Sequence, residues 1–123
     1  MNEELFTKPI GNKEIEKLQP KEVTVVEARI EEKGAKNTPL LVLSVKHPDE
    51  KELITLSKVQ FIDGKNLKTI GLWISLDDDE NIQKGSAIAR FMDYYKVTEL
   101  VQLKDKLLST AFDEKNYLCI KAY

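Results

Sequence analysis

The sequence contains very little cysteine, histidine and tryptophan, with one of each in 123 residues. The lone Cys119 cannot form an internal disulfide, which fits a reducing cytoplasm, and we expect it to act as a small apolar residue. With one histidine the chain has no zinc-ligand cluster, and a nucleophile–base pair would have to combine Cys119 with His47. A glycine-rich phosphate loop and a dinucleotide fingerprint are also missing. We therefore predict no catalytic activity, no cofactor and no metal.

Long apolar runs are missing as well. No stretch approaches the roughly 20 residues that span a bilayer, and the opening Met1–Glu4 is too polar for a secretory signal. Only five glycines and four prolines interrupt a chain that is 41% hydrophobic, which argues against disorder. A chain of this length builds one core. We expect one soluble, cytoplasmic domain with no membrane partner.

Charge of neither sign dominates the chain. The 19 basic and 21 acidic residues give a net charge of −2, so this is no general polycation for clamping duplex DNA. The run Asp77–Glu80 carries −4 of that total, which leaves +2 on the remainder. Clustered carboxylates suit a hard cation, but the run lacks the alternate ligands and central glycine of a calcium loop. We expect a solvated turn there.

The chain divides into two parts. Residues 1–20 are predicted to form an N-terminal arm or a short helix that ends at Pro20. Residues 21–123 are predicted to form the folded domain, because apolar and polar residues alternate there with the period of β-strands.

Three β-hairpins are predicted in the domain. Their turns lie at Gly34–Pro39, Asp63–Asn66 and Asp113–Asn116, where glycine, asparagine and aspartate favour tight reversals. The strand residues predicted to face the core are Val26, Ala28, Ile30, Ile70, Leu72, Ile74, Leu76, Leu118, Ile120 and Ala122.

One amphipathic helix is predicted between the second and third hairpins. Ser86 is a suitable N-cap, and Ile88, Phe91, Met92 and Tyr95 recur at i, i+3, i+4 and i+7.

The second hairpin presents polar and aromatic side chains away from the core. The apolar residues occupy even positions up to Leu56 and odd positions from Val59. This change indicates a bulge, after which the strand turns its other side to the core. On this interpretation four side chains point outward, namely Lys58, Gln60, Trp73 and Ser75.

A set of antiparallel strands, one helix and a closing hairpin is the order of an OB-fold, a Greek-key barrel whose helix lies between core strands 3 and 4. The chain from residue 23 to residue 123 resembles small OB-fold single-stranded-DNA-binding domains of phages and archaea. The segments that carry this likeness are Gly71–Leu76, Lys84–Phe91 and Tyr117–Tyr123. The resemblance implies a mainly β barrel with one main helix, and the sequence holds one candidate strand beyond the minimal five.

An indole on the open face of a barrel strand offers a stacking platform for an unpaired base, so Trp73 is the first candidate binding residue. Cationic side chains of the same outward parity suit phosphates, and the Gln60 amide suits a base edge. The resemblance adds loop lysines at positions where OB-folds commonly bind ligands. The candidate nucleic-acid-binding residues are Trp73, Arg29, Lys46, Lys58, Gln60, Ser75, Lys36 and Lys115.

Other interpretations of these residues stay open. Trp73 also suits a cover for the barrel mouth, a contact with the N-terminal arm or a dimer interface, and strand lysines suit a solvated face. Tyr117 and Tyr123 form a second aromatic and basic patch with Lys121, or they seal the barrel edge.

We expect binding of single-stranded nucleic acid, DNA rather than RNA, with little sequence preference. The alternative is a module for protein–protein interaction or self-association as a homodimer.

Overall fold

The computed structural model describes residues 18–123, so nearly all of the predicted arm at residues 1–20 lies outside the described residues. In the described part the chain forms eight strands, one α-helix and one short 3₁₀ helix. The strands are β1 (Val23–Lys33), β2 (Thr38–Lys46), β3 (Ile54–Leu56), β4 (Lys58–Asp63), β5 (Asn66–Gly71), β6 (Leu107–Leu108), β7 (Thr110–Phe112) and β8 (Leu118–Lys121). Helix α1 spans Ala87–Tyr94, and the 3₁₀ helix spans Leu100–Leu103. The prediction of a mainly β chain with one main helix is confirmed.

The strands form two four-stranded sheets, ordered β3-β2-β1-β6 and β5-β4-β8-β7, and the fold includes a strongly curled half-barrel sheet. Neighbouring strands are antiparallel except β4 and β8, which are parallel. The chain passes between the sheets twice through a single residue, at Ser57 between β3 and β4 and at Ser109 between β6 and β7. The three predicted hairpins are confirmed as β1–β2, β4–β5 and β7–β8.

The core lies between the two sheets and under α1. Its fully buried members come from both sheets and the helix, and they include Val25, Leu43, Val59, Leu72, Ile88, Phe91, Leu108 and Ile120. Ser86 caps α1 as predicted, because its hydroxyl accepts a hydrogen bond from the Ala89 N–H at 3.2 Å. In residues 18–123 no helix is both long and apolar enough to cross a bilayer.

The predicted exchange of faces in the second hairpin is confirmed. Leu56 and Val59 are both buried although they have opposite parity, because the chain breaks its strand at Ser57 between them. Phe61 follows the parity of Val59 and is buried.

Some of the predicted core positions are wrong. In β1 the register shifts between Val25 and Glu27, so Val25 is buried while Val26 is exposed. Ile30 is 57% exposed although the opposite residue, Leu41, is buried, because in residues 18–123 no strand pairs with β1 on its other side at this position.

The strand after the second turn also buries less than predicted. Leu72 is fully buried and Ile74 is half-buried, but Ile70 and Leu76 are exposed. The reason is that β5 is the edge strand of its sheet and ends at Gly71, so few neighbours cover its side chains.

The Tyr95 hydroxyl forms hydrogen bonds with backbone groups at Ser109, the residue between β6 and β7. It accepts a hydrogen bond from the Ser109 N–H at 2.9 Å and donates one to the Lys121 carbonyl at 2.6 Å. Burial raises the pKa of the Tyr95 hydroxyl, which keeps the group neutral. Tyr95 therefore supplies backbone groups with partners at a point where β6 and β7 are interrupted.

Replacing Tyr95 by phenylalanine is expected to destabilise the fold. The change Tyr95→Phe leaves a partly buried N–H and a carbonyl without this partner, which costs about 1 to 3 kcal/mol. Urea unfolding measures the loss. Tyr94→Phe is the matched control, since its hydroxyl makes one exposed hydrogen bond to the Tyr123 carbonyl at 3.1 Å. Equal losses in both variants would contradict this role for Tyr95.

Candidate functional site

Trp73 lies where the chain leaves β5 and crosses to β2. Its Cα pairs with Leu40 in an isolated bridge, and the next residue, Ile74, donates its N–H to the Pro39 carbonyl at 2.9 Å. The side chain is 39% exposed, so the predicted outward orientation is confirmed. Backbone hydrogen bonds of the neighbouring residues Leu72 and Ile74 to β2 fix the position of the Trp73 backbone, while its ring is open to solvent.

The indole packs on a residue without a side chain. A Cβ built on Gly71 would lie 2.8 Å from Trp73 Nε1, closer than such atoms approach, and 3.2 Å from Cδ1. Glycine at position 71 therefore leaves the space that the ring occupies.

Lys58 stands beside this aromatic surface. In the β4–β5 register Lys58 pairs directly with Gly71, and paired residues of adjacent strands present their side chains on one face. Trp73 is two residues beyond Gly71 and shares that face. The exposed Lys58 thus lies on the same face as the exposed indole, as the outward parity predicted.

Lys58 also lines a groove that leads to a second aromatic ring. One wall of this groove is β3 with Ser57, and the other is the β7–β8 hairpin. It is a chain of three adjoining depressions of about 390, 170 and 90 Å³. We call it the hairpin groove, and its central residues are Thr55, Leu56, Ser57, Lys58, Asp113, Tyr117 and Leu118.

Asp113 organises the loop that forms the far wall. Its Oδ1 accepts hydrogen bonds from the N–H groups of Lys115 at 2.8 Å and Tyr117 at 2.9 Å. These two backbone hydrogen bonds, that of Tyr117 first, lower the pKa of the Asp113 carboxyl, and the charges of Lys58 and Lys115 add to the effect. The loop thereby holds Lys115 in solvent and the Tyr117 ring 68% exposed.

Arg29 lies on the same outer face but is already paired. It is opposite Val42 in the β1–β2 register, one alternate position from the Leu40 that pairs with Trp73. Its Nε donates to Glu31 Oε2 at 2.7 Å and its Nη1 to Ser44 Oγ at 2.8 Å. The Lys33 and Arg29 side chains lower the pKa of Glu31, so the carboxylate stays charged beside them.

Gln60 is not open to a ligand, and the prediction of an exposed amide is wrong. Only 4% of the residue is exposed. Its Nε2 donates to Thr69 Oγ1 and to the Phe112 carbonyl, both at 3.2 Å, and its Oε1 accepts from the Tyr123 hydroxyl at 3.1 Å. The parallel pairing of β4 with β8 brings the end of the chain over Gln60, and parity alone does not reveal such a cover.

The other predicted residues lie apart from the hairpin groove. Lys46 is six positions along β2 from Leu40, about 20 Å away in an extended strand, and its ammonium donates to the Glu50 carbonyl. Lys36 is exposed in the turn that joins β1 to β2. Ser75 is exposed next to Trp73, and its carbonyl accepts from the Gln83 N–H at 2.8 Å. The structure therefore brings together Trp73, Lys58 and Lys115, and it adds Tyr117.

His47 and Cys119 are engaged within the fold. His47 is fully buried, with Nδ1 accepting from the Asp49 N–H at 3.0 Å and Nε2 2.7 Å from the Gln19 carbonyl. Cys119 is buried with Sγ 3.5 Å from the Ala111 carbonyl, and desolvation raises the pKa of its thiol to about 11. The two side chains are not exposed to a substrate in this conformation.

The acidic run forms the predicted exposed turn. Asp77 Oδ1 accepts hydrogen bonds from the N–H groups of Asp79 at 2.9 Å and Asn81 at 3.0 Å. Across residues 18–123 there is no group of three or more histidine, cysteine or acidic side chains that could hold a metal ion.

A scan against protein-family models and searches of curated proteins and of solved structures found no match for this chain. Function therefore has to be inferred from the surface formed by Trp73, Lys58 and the hairpin groove.

Adding a side chain at Gly71 is expected to displace the indole. The variant Gly71→Ala places a methyl group 2.8 Å from Trp73 Nε1, and the backbone at this position needs no positive φ, so the change acts on the ring contact. Fluorescence of the single tryptophan should shift to the red and become more accessible to acrylamide. Lys68→Ala, a change on the exposed part of β5, is the control. An unchanged spectrum in Gly71→Ala would contradict the packing described here.

Proposed function

We propose that the protein binds single-stranded nucleic acid, DNA in preference to RNA, with little sequence preference. The observation that carries the proposal is that two exposed aromatic rings, Trp73 and Tyr117, flank one exposed lysine, Lys58. Bases of any sequence stack on aromatic rings, while an ammonium between the rings suits the phosphate that joins two bases.

The path of strand pairing supports an OB-fold as the scaffold. From β1 the pairing runs to β2, then to β3 and its continuation β4, then to β8, and through β7 and β6 back to β1. If β3 with β4 counts as one strand and β6 with β7 as another, the barrel has five strands, which are β1, β2, β3–β4, β6–β7 and β8 in chain order. Numbered one to five, these strands pair in the order 1-2-3-5-4-1. Helix α1 lies between the third and the fourth. In this proposal β5 is the additional strand, and it carries the chain to Trp73.

This scaffold agrees with the position of the hairpin groove. OB-folds bind oligonucleotides on the face of strands 2 and 3 and between the loops that join strands 1–2 and 4–5. The corresponding loops here are residues 34–37 and 113–117. Lys36 belongs to the first loop and Lys115 to the second, and of the two only Lys115 lines the hairpin groove.

Stacking has to supply most of the affinity. The surface near Trp73 and Tyr117 offers Lys58 and Lys115 as exposed cations, but Asp113 lies between them and Arg29 is paired with Glu31. Each base stacked on an aromatic ring contributes about 1 to 3 kcal/mol. Two neutralised phosphates on a single strand give a salt slope of only about −1.4 in log K against log salt.

Direct titration tests the proposal. Labelled oligothymidylate, oligouridylate and a DNA duplex are titrated with protein at low and high salt, with fluorescence anisotropy as the readout. We expect binding of the single strands, DNA more tightly than RNA, and weak or no binding of the duplex. Trp73→Leu and Tyr117→Leu should each weaken binding about tenfold or more, which corresponds to the loss of one stacked base.

A charge variant separates phosphate contacts from stacking. Lys58→Gln should reduce the salt slope by about 0.7, because one phosphate contact is lost. Lys65→Gln is the matched control, since Lys65 is exposed in the turn between β4 and β5. Binding that is unaffected by both aromatic variants, or the absence of single-strand binding at low salt, would refute the proposal and favour a protein partner for this surface.

A further inference from the structure

In the part of the chain that the structure describes, one long edge of β1 has no strand partner. Within residues 18–123, β1 pairs with β2 along its length on one side, whereas on the other side β6 covers only Val23 and Thr24. Two more hydrogen bonds join Val25 to Asp105 and Lys106, and among the described residues no further backbone hydrogen bond is formed on that side from residue 26 to residue 33. An exposed strand edge is a template for pairing with another chain.

The backbone groups of this edge point outward. In an antiparallel pair, opposite residues exchange both hydrogen bonds or neither. Leu41 is opposite Ile30 but donates its N–H to the Leu72 carbonyl, on the far side of β2. Ile30 therefore directs its own N–H and C=O to the open edge. Glu32 does the same, because the opposite residue, Pro39, accepts from Ile74 on the far side of β2.

The side chains of this edge are self-complementary. When two copies of β1 pair antiparallel about a two-fold axis at Ile30, Arg29 of each copy faces Glu31 of the other. Glu27 in turn faces Lys33. Opposite charges directly across two strands are stabilising. The same register makes Ile30 face its own copy and forms about six backbone hydrogen bonds through positions 28, 30 and 32.

Neighbouring registers are unfavourable. A shift of two residues in one direction places Arg29 against its own copy and Glu27 against Glu31, and a shift in the other direction places Glu31 against its own copy and Arg29 against Lys33. A shift of one residue sends paired side chains to opposite faces. The charge pattern thus selects the register centred on Ile30.

An apolar groove of about 450 Å³ lies beside the free edge. It runs between β1 and the 3₁₀ helix, and its apolar lining includes Val26, Ile30, Leu100 and Val101. Ile30 is 57% exposed and Val101 is 77% exposed. Because Ile30 of a second copy would lie at the two-fold axis, this groove offers an apolar surface to the partner strand.

We propose that the protein forms a two-fold symmetric dimer in which the β1 edges of two copies pair antiparallel about Ile30. The occupant of this edge is a second copy because the charges of Glu27, Arg29, Glu31 and Lys33 match their own sequence reversed. The inference goes beyond the proposed nucleic-acid binding and stands independently of it.

Paired charge reversals test the dimer. Arg29→Glu sets Glu31 of the partner against a like charge, and Glu31→Arg does the same to Arg29, so each variant alone should raise the dimer Kd about tenfold or more. In an equimolar mixture of the two variants every such pair has opposite charges again. The mass is measured by sedimentation velocity without nucleic acid at tens to hundreds of micromolar protein.

We expect wild-type protein near twice the 14.1 kDa chain mass, each variant alone at a clearly lower average mass at the same concentration, and the mixture restored to the wild-type value. Recovery in the mixture also shows that both variants fold. Lys65→Glu and Glu52→Arg make the same charge changes at exposed positions outside β1 and should keep the dimer. A monomeric wild type, dimeric single variants, a monomeric mixture or monomeric controls would each overturn the proposal.

Discussion

The backbone of Leu72 connects the two sheets through hydrogen bonds, and the candidate site depends on this connection. Its N–H donates to the Ser57 carbonyl at 2.8 Å, and its carbonyl accepts from the Leu41 N–H at 2.9 Å. The side chain is fully buried in the core. Gly71 and Trp73 are the residues on either side, so their positions follow from hydrogen bonds to both sheets. A ring held in this way loses little conformational freedom when a ligand stacks on it, which favours binding.

Acidic residues position the cations of this surface and also limit their charge. Asp113 arranges the loop that presents Lys115 and Tyr117, and Glu31 holds Arg29 and Lys33 at 2.7 and 3.0 Å. The Glu31 pairs are partly exposed, so each is worth little in stability. Their larger effect is that each acidic side chain offsets positive charge on this surface. Such a surface suits base stacking better than the clamping of duplex phosphates.

The sequence predicts features that depend on local order and misses those that depend on distant chain segments. The alternation of side chains along a strand predicts that Trp73 points outward. The change in which alternate residues are apolar predicts the exchange of faces around Ser57. Both predictions depend only on neighbouring residues. The cover over Gln60 comes from Tyr123 and the parallel β4–β8 pair, which are far along the chain. The exposure of Ile30 and Ile70 depends on which strands have a partner at these positions in the part of the chain that the structure describes. Strand parity predicts that Tyr117 points outward, but its position in one groove with Lys58 depends on the loop geometry set by Asp113.

The proposed dimer and the proposed binding surface are compatible in geometry. A two-fold axis perpendicular to the sheet keeps the outer face of β1 on the same side in both copies, so a joined sheet would carry both Trp73 rings on one face. Arg29 and Glu31 would then lie between the two stacking surfaces, with their charges satisfied across the axis. A single strand long enough to reach both surfaces would bind the second at a high effective concentration. Two weak stacking sites would in this way act as one stronger site without any additional cation.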